Sequence, residues 1–427
     1  SGRMQFLFVC LFPPLGASSS SERQIDHMRT AEQKTYLLMA ILLGGLAMLG
    51  PISIDIFLPA VPNMAADLHV SIGSIELTLT AIFVGNAFGQ ILYGPLSDRL
   101  GRKPVVLVTL FLFAITTIAV AQASTLEPIL LWRFVQGVLL ASGRIIANAA
   151  ARDQYEGERL GKLISLIFIV SVSASVFNPL LGGILVANFG WQSVFLVMTF
   201  YATCLFFAVL FYFNETLLKK DKSAVNPIQL YNNFVFISKN KEFSTCMLSG
   251  GFAVAGFVAF LSSSSGVAKS AFGLEPQTYS FYFAGVISVL LVVTYGSSHF
   301  VHKIGMHPLI LTGGFLQALG GASMLIFTWM EIKEPWVIFA PMAVFLIGFS
   351  FFYPLSTAKA LTPFKAMTGT ASSFLGFFQN LMGAFVSATL AIFINGTAIP
   401  MAIAIAICGV ASALTYVSIR ARPASQI

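Results

Sequence analysis

Stretches of about twenty apolar residues recur along this chain, each long enough to cross the hydrocarbon core of a bilayer as a helix. Leu37 to Ile56, Val105 to Ala121, Leu163 to Val186, Phe195 to Phe213 and Met401 to Ile419 are nearly free of charge. In lipid a backbone must satisfy its own N–H and C=O groups, so such runs read as helices. Composition agrees: 57% of the 427 residues are hydrophobic and only 10% are charged, against roughly 25% charged in a soluble domain. The chain is therefore expected to be an all-α membrane protein.

Twelve spans are predicted, at 35–58, 74–95, 104–123, 127–150, 161–187, 191–213, 243–265, 276–297, 308–330, 336–357, 367–394 and 398–419. Most connections are short, so successive helices run antiparallel. The long connection after Phe213 divides them six plus six. The predicted organisation is a disordered N-terminal segment 1–34, a six-helix bundle 35–213, a linker 214–242, a second bundle 243–419 and a tail 420–427. The net charge of +7 does not point to nucleic acid, because the cations gather in loops on one side. These are Arg99, Arg102 and Lys103; Arg152, Arg159 and Lys162; the linker lysines; Lys303; and Lys359 with Lys365. The opposite side shows only Lys269 and Lys333. The positive-inside rule places the basic loops and both termini in the cytoplasm.

Near the N-terminus, Phe6 to Phe12 is too short to span, and a signal peptide would contradict the cytoplasmic placement of the adjoining chain. Ser1 to Arg3 reads as a cloning remnant and Met28 as a candidate start. The cysteines Cys10, Cys204, Cys246 and Cys408 lack metal-ligand spacing, and the last three read as small buried hydrophobes. Two loops six spans apart match: Arg99-Leu100-Gly101 with Pro104, and Lys303-Ile304-Gly305 with Pro308. Such an echo marks a transporter assembled from duplicated bundles.

The most specific local signal is Gly94-Pro95-Leu96-Ser97-Asp98-Arg99-Leu100-Gly101-Arg102-Lys103-Pro104 between the second and third spans. A plain basic loop explains its cations but neither Asp98 nor the glycine spacing. A carboxylate among three cations can form a switchable ion-pair cluster. This loop resembles the signature of the major facilitator superfamily. Arg133-Phe134-Val135-Gln136-Gly137 is similar to that family's Arg-x-x-Gln-Gly motif. Asn178-Pro179-Leu180-Leu181-Gly182-Gly183 is similar to the Pro-x-x-Gly-Gly of its antiporters, with Asn178 where many have glycine. Asp55 to Pro62, Arg152-Asp153, Gly190-Trp191, Glu215-Thr216-Leu217 and Gly369 to Ser373 resemble the Bcr/CflA branch of drug:proton antiporters. The resemblance implies two six-helix bundles working by alternating access. It also implies a cytoplasmic gate involving Gly94, Asp98, Arg99, Gly101, Arg102 and Arg152, with Asp98 contacting Arg152 and the start of the eleventh helix when the inside is closed.

Charges within spans are costly and suggest function. Asp55 and Arg133 both sit on the order of 7–9 Å below the outer surface, close enough to pair. An acid beside an arginine can exchange a proton or a cationic substrate, although a permanent structural pair is the alternative. The resemblance implicates the pair in proton coupling. Arg144 follows Arg133 by eleven residues, about 16 Å along the same helix face. It either lines the cavity and favours substrates with anionic or oxygen-rich groups, or replaces the arginine the branch has at Asn148, or snorkels. The expected substrate cavity thus comprises Asp55, Arg133, Gln136, Arg144 and Asn148. Glu76 reads as a solvated helix-start carboxylate, and His302 and His307 as loop residues. Gln90, Asn86, Gln317, Gln379 and Asn380 either touch substrate or tie helices together.

No nucleotide-binding loop, metal cluster or nucleophile–base constellation is evident, so no enzyme activity, metal or cofactor is expected. The sequence predicts a proton-driven exporter of small, partly apolar molecules in the bacterial inner membrane. It would bind substrate, protons and lipid but no nucleic acid, and work as a monomer. A dedicated exporter of a siderophore-like or amino-acid-derived metabolite, and a receptor that kept the fold without transport, remain open.

Overall fold

The computed structural model describes residues 19–217, 220, 226–393 and 395–418. Among them are twelve helices long and apolar enough to span a membrane and no strand. They are α1 Ser19–Asp55, α2 Ile72–Leu100, α3 Arg102–Gln122, α4 Leu126–Gln154, α5 Gly157–Phe189, α6 Gln192–Tyr212, α7 Lys241–Phe272, α8 Pro276–Ile304, α9 Met306–Trp329, α10 Trp336–Leu361, α11 Thr368–Phe393 and α12 Ile399–Val417. A short helix, Val61–Asp67, follows α1. Their outward sides are apolar: Phe200, Phe211, Phe385 and Ile392 are each more than 70% exposed, as lipid-facing residues must be.

The backbone is helical from Ser19, within the segment 1–34 for which the sequence suggested disorder. No proline or glycine stands between Ser19 and Leu37, and Ala31 to Lys34 are strong helix formers, so the span propagates backwards. Residues 1–18, including Cys10 and Ser1 to Arg3, lie outside the described residues, as does the tail 420–427. The linker also holds a helix, Pro227–Ser238, whose start is capped by the Asn226 side chain accepting from the N–H groups of Ile228 and Gln229. Phe234 of this helix stacks on Phe374 of α11 at 4.6 Å.

The two halves repeat each other in packing as well as in sequence. In the first half α1 packs on α4 and α5, α2 on α4, and α3 on α4 and α6. Six helices later α7 packs on α10 and α11, α8 on α10, and α9 on α10 and α12. The matched loops share one backbone conformation: Gly101 has φ 110°, ψ 156° and Gly305 has φ 87°, ψ 161°. Each ends one helix and begins the next, at a φ where a Cβ is strained.

The halves meet mainly through α2 against α11 and α5 against α8. Their contact is not uniform along the axis. At the end away from the basic loops, one apolar core joins Phe57, Ile75 and Leu79 to Phe260, Tyr279 and Phe283. At the loop end the halves separate around a cavity.

Candidate substrate cavity and gate

The cavity has a volume of about 700 Å³, and Asp98, Arg152 and the linker helix stand at its mouth. One wall comes from α2, α4 and α5 and the other from α10 and α11. Arg144 and Asn148 line it, as do Gly94, Arg102, Gln90 and Gln379. Arg144 is exposed to the cavity rather than packed away.

Asp55, Arg133 and Gln136, expected in the cavity, do not line it in this state. They lie beyond its closed end. Asp55 is 5% exposed, with Oδ2 lacking a partner and the Ser175 hydroxyl beside its carboxylate. Arg133 is fully buried. Its NH1 donates to the Ser53 carbonyl at 3.2 Å and to Gln136 Oε1 at 3.3 Å. Its guanidinium rests on the rings of Phe57 at 4.0 Å and Phe195 at 4.9 Å. The expected Asp55–Arg133 ion pair is absent. Arg133 faces aromatic rings and a carbonyl, leaving Nε and NH2 unpaired. Gln136 is held away from the cavity because its Nε2 donates to Thr117 of α3 at 2.8 Å.

Glu76 is a second correction. It is fully buried, not solvated, because α7 covers it: Ser263 donates to Oε2 at 3.2 Å and Oε1 has no partner. The other intramembrane amides divide by role. Gln90 donates to Asn86 and Asn86 donates to Asn380 at 3.0 Å, a chain that crosses between the halves. Gln317 accepts from Ser412, tying α9 to α12. His307 contacts the Tyr416 hydroxyl through Nδ1, whereas the side chain of His302 lies outside the described residues.

At the loop end of α2, where the sequence suggested a gate, Asp98 pairs with Arg102 at 2.6 Å. The Asp98–Arg152 contact is not made: Arg152 is exposed at the cavity mouth. The open mouth keeps the two apart. Arg102, 6% exposed, also holds Asp153 at 3.1 Å and Ser97 at 2.5 Å. Arg99 is exposed. Two acids that sequence reasoning gave no role complete the cluster. Asp153 accepts from Arg102 and from Thr216. Glu215 accepts from the backbone N–H groups of Arg102 at 2.9 Å and Lys103 at 3.2 Å, capping α3. A Cβ on Gly101 would come within 2.5 Å of that carboxylate. Although partial burial opposes it, four backbone donors hold the Glu215 carboxyl below the usual glutamate range. The signal was present in Arg152-Asp153 and Glu215-Thr216-Leu217, but nothing in one dimension shows that these segments meet the loop.

The Asn178-Pro179 motif acts through shape. A methyl on Gly182 would overlap the carbonyl oxygen of Ile56, just past the end of α1, and one on Gly183 would overlap Ser280 of α8. The pair lets α5 lie close to its own bundle and to the opposite half. Asn178 is buried with Nδ2 unpaired.

The family profile of the Major Facilitator Superfamily matches residues 43–387, which run from within α1 into α11. The chain belongs to the major facilitator superfamily. It is 29% identical over 398 residues to a bicyclomycin resistance protein homolog of Haemophilus influenzae, covering 92% of this chain and 98% of that protein. It is 27% identical to multidrug resistance protein D of Escherichia coli, over 83% of this chain and 88% of that one. The multidrug resistance protein MdtL of Klebsiella pneumoniae is also 27% identical, at 86% and 92% coverage. The solved partially occluded inward-open xylose transporter XylE of E. coli superposes with a TM-score of 0.72 at 13% identity, covering 92% of this chain and 99% of that one. That likeness concerns the fold. Family and fold are those of transporters, not of enzymes.

Proposed function

We propose that this protein is a proton-coupled exporter of small, partly apolar molecules that works by alternating access in a bacterial inner membrane. The observation that carries the reading is a cavity open only at the basic-loop end, sealed at the other by a core shared between the halves. With the basic loops in the cytoplasm, this is the state that admits a substrate from inside. The similarity to drug-resistance proteins supports efflux as the direction.

Proton coupling is assigned to Asp55 and Arg133. A buried carboxylate with an oxygen unpaired is costly as an ion, so its charge depends on what surrounds it. When the halves rock and the far end opens, water reaches Asp55 and its proton can be exchanged. Arg133, with two nitrogens unpaired, is placed to answer a change of charge there. No cofactor is required beyond the proton gradient, and one chain contains a complete pathway.

The test is proton movement in proteoliposomes on adding substrate, wild type beside Asp55→Asn. Flux in wild type that disappears in the variant supports antiport with Asp55 as the coupling site. Substrate flux without proton movement makes the protein a facilitator. A dedicated metabolite exporter is the second reading, favoured by the cationic character that Arg144 gives the cavity.

A further inference from the structure

The charges that face the cavity are unbalanced. They are Asp98, Arg102, Arg144 and Arg152. The single carboxylate is already engaged by Arg102 at 2.6 Å. Neither Arg144 nor Arg152 has an ion-pair or hydrogen-bond partner among the described residues. The remaining polar lining, such as Asn148, Gln379 and Tyr353, is uncharged. The acids that could attract a cation, Asp55 and Glu76, are sealed beyond the closed end.

Arg144, Asn148 and Arg152 recur at intervals of four on α4, and all three line the cavity. They form a ladder of about 12 Å from the interior to the mouth, with a neutral amide between two guanidinium groups. Low-dielectric walls focus the field of such charges and raise the local concentration of counter-ions. A guanidinium also presents paired N–H donors that match the two oxygens of a carboxylate, phosphate or sulfonate. A lipophilic cation would meet two positive charges here and no free acid.

From this arrangement we infer that the cavity takes substrates bearing an anionic oxygen group, received by Arg152 at the mouth and held by Arg144 at depth. Arg144 is then the residue that sets substrate charge, and the apolar remainder of the substrate lies against the aliphatic wall of α5. The inference rests on the exporter reading only in treating this cavity as the substrate's path.

Two xanthene dyes of similar size and opposite charge provide the test: carboxyfluorescein and rhodamine 123. Binding is read by fluorescence anisotropy with the full chain in phosphatidylcholine nanodiscs, where no anionic headgroup competes and no gradient exists. Wild type is expected to bind carboxyfluorescein saturably and at least tenfold more tightly than rhodamine 123. Arg144→Gln should weaken carboxyfluorescein at least tenfold, Arg144→Lys should retain most of the affinity, and Arg144→Glu should reverse the preference. If Arg144→Gln does not yield folded protein, Arg152→Gln replaces it and should weaken carboxyfluorescein severalfold. Equal affinity in wild type and the Gln variant, a wild-type preference for rhodamine 123, or no saturable carboxyfluorescein binding would each overturn the inference. Because binding is measured without transport, a failure of proton coupling in proteoliposomes leaves this result unaffected.

Discussion

Glu215 and Gly101 show how much of the α2–α3 loop depends on single residues outside the cavity lining. The Glu215 carboxylate closes the N-terminus of α3 from a loop more than a hundred residues away, and Gly101 has φ 110° and no room for a Cβ. Gly101→Ala is therefore expected to destabilise the protein by about 1–2 kcal/mol from backbone strain alone, read as a lower melting temperature in detergent. Glu215→Gln should cost about 1 kcal/mol at neutral pH, since the group is partly solvated and one acceptor oxygen remains. The pH dependence has a definite sign. Glu215 is held below its ordinary value of 4.5, so its stabilisation is complete above that pH and is lost as pH falls through the lowered value. The gap between wild type and Glu215→Gln should narrow below pH 4.5, and a constant gap would show that the capping hydrogen bonds do not depend on the charge. Much at this scale was legible beforehand, because Asp98, Gly101 and Arg102 stand in a motif whose spacing is informative by itself. Glu215 and Asp153 were visible as residues but not as partners, because long-range proximity leaves no periodic trace.

Helices were the most legible level, since a charge-free run of twenty residues permits almost nothing else in lipid. All twelve spans were readable, and the echo of the Gly101 loop at Gly305 anticipated the repeated packing. What could not be read was which helices join the halves, or at which end. Those facts depend on small residues and hydroxyls that look alike in every span. The α2–α11 pair makes the point: Thr80 donates to Ser387 at 2.8 Å, far from the loops. Cysteines at these two positions, in a background without the native thiols, are expected to form a disulfide, since the side-chain tips already lie near bonding distance. The cross-link should hold the far end shut, stop transport and leave cavity binding intact, with activity restored by reductant. Full transport by oxidised protein would mean that this contact does not part during the cycle. Failure to cross-link would place α2 and α11 in a different register.

The conformation of the whole molecule explains why several expected contacts are missing together. Asp98 and Arg152 face one cavity mouth without touching, Asp55 and Arg133 are buried without pairing, and Glu76 is enclosed. Each departure follows from an open loop end and a closed far end, a state that residue types alone do not encode. Closing the loop end would bring the start of α11, where Gly369 lines the mouth, toward the Asp98 cluster. Asp98 would then have Arg152 and the helix N-terminus to choose from, while Arg102 keeps Asp153. An exchange of partners worth about 1–3 kcal/mol shifts a two-state ratio by about 5–150-fold. Arg152→Ala should therefore deplete the loop-closed state and slow transport without abolishing binding from the open side. Spin labels at Leu100 and Met306, both exposed and on opposite halves, would report the change. Wild type energised with substrate should show a long and a short separation, and the variant should lose most of the short one. An unchanged distribution would mean that Asp98 remains with Arg102 throughout, making the signature cluster a fixed anchor for α3 rather than a latch.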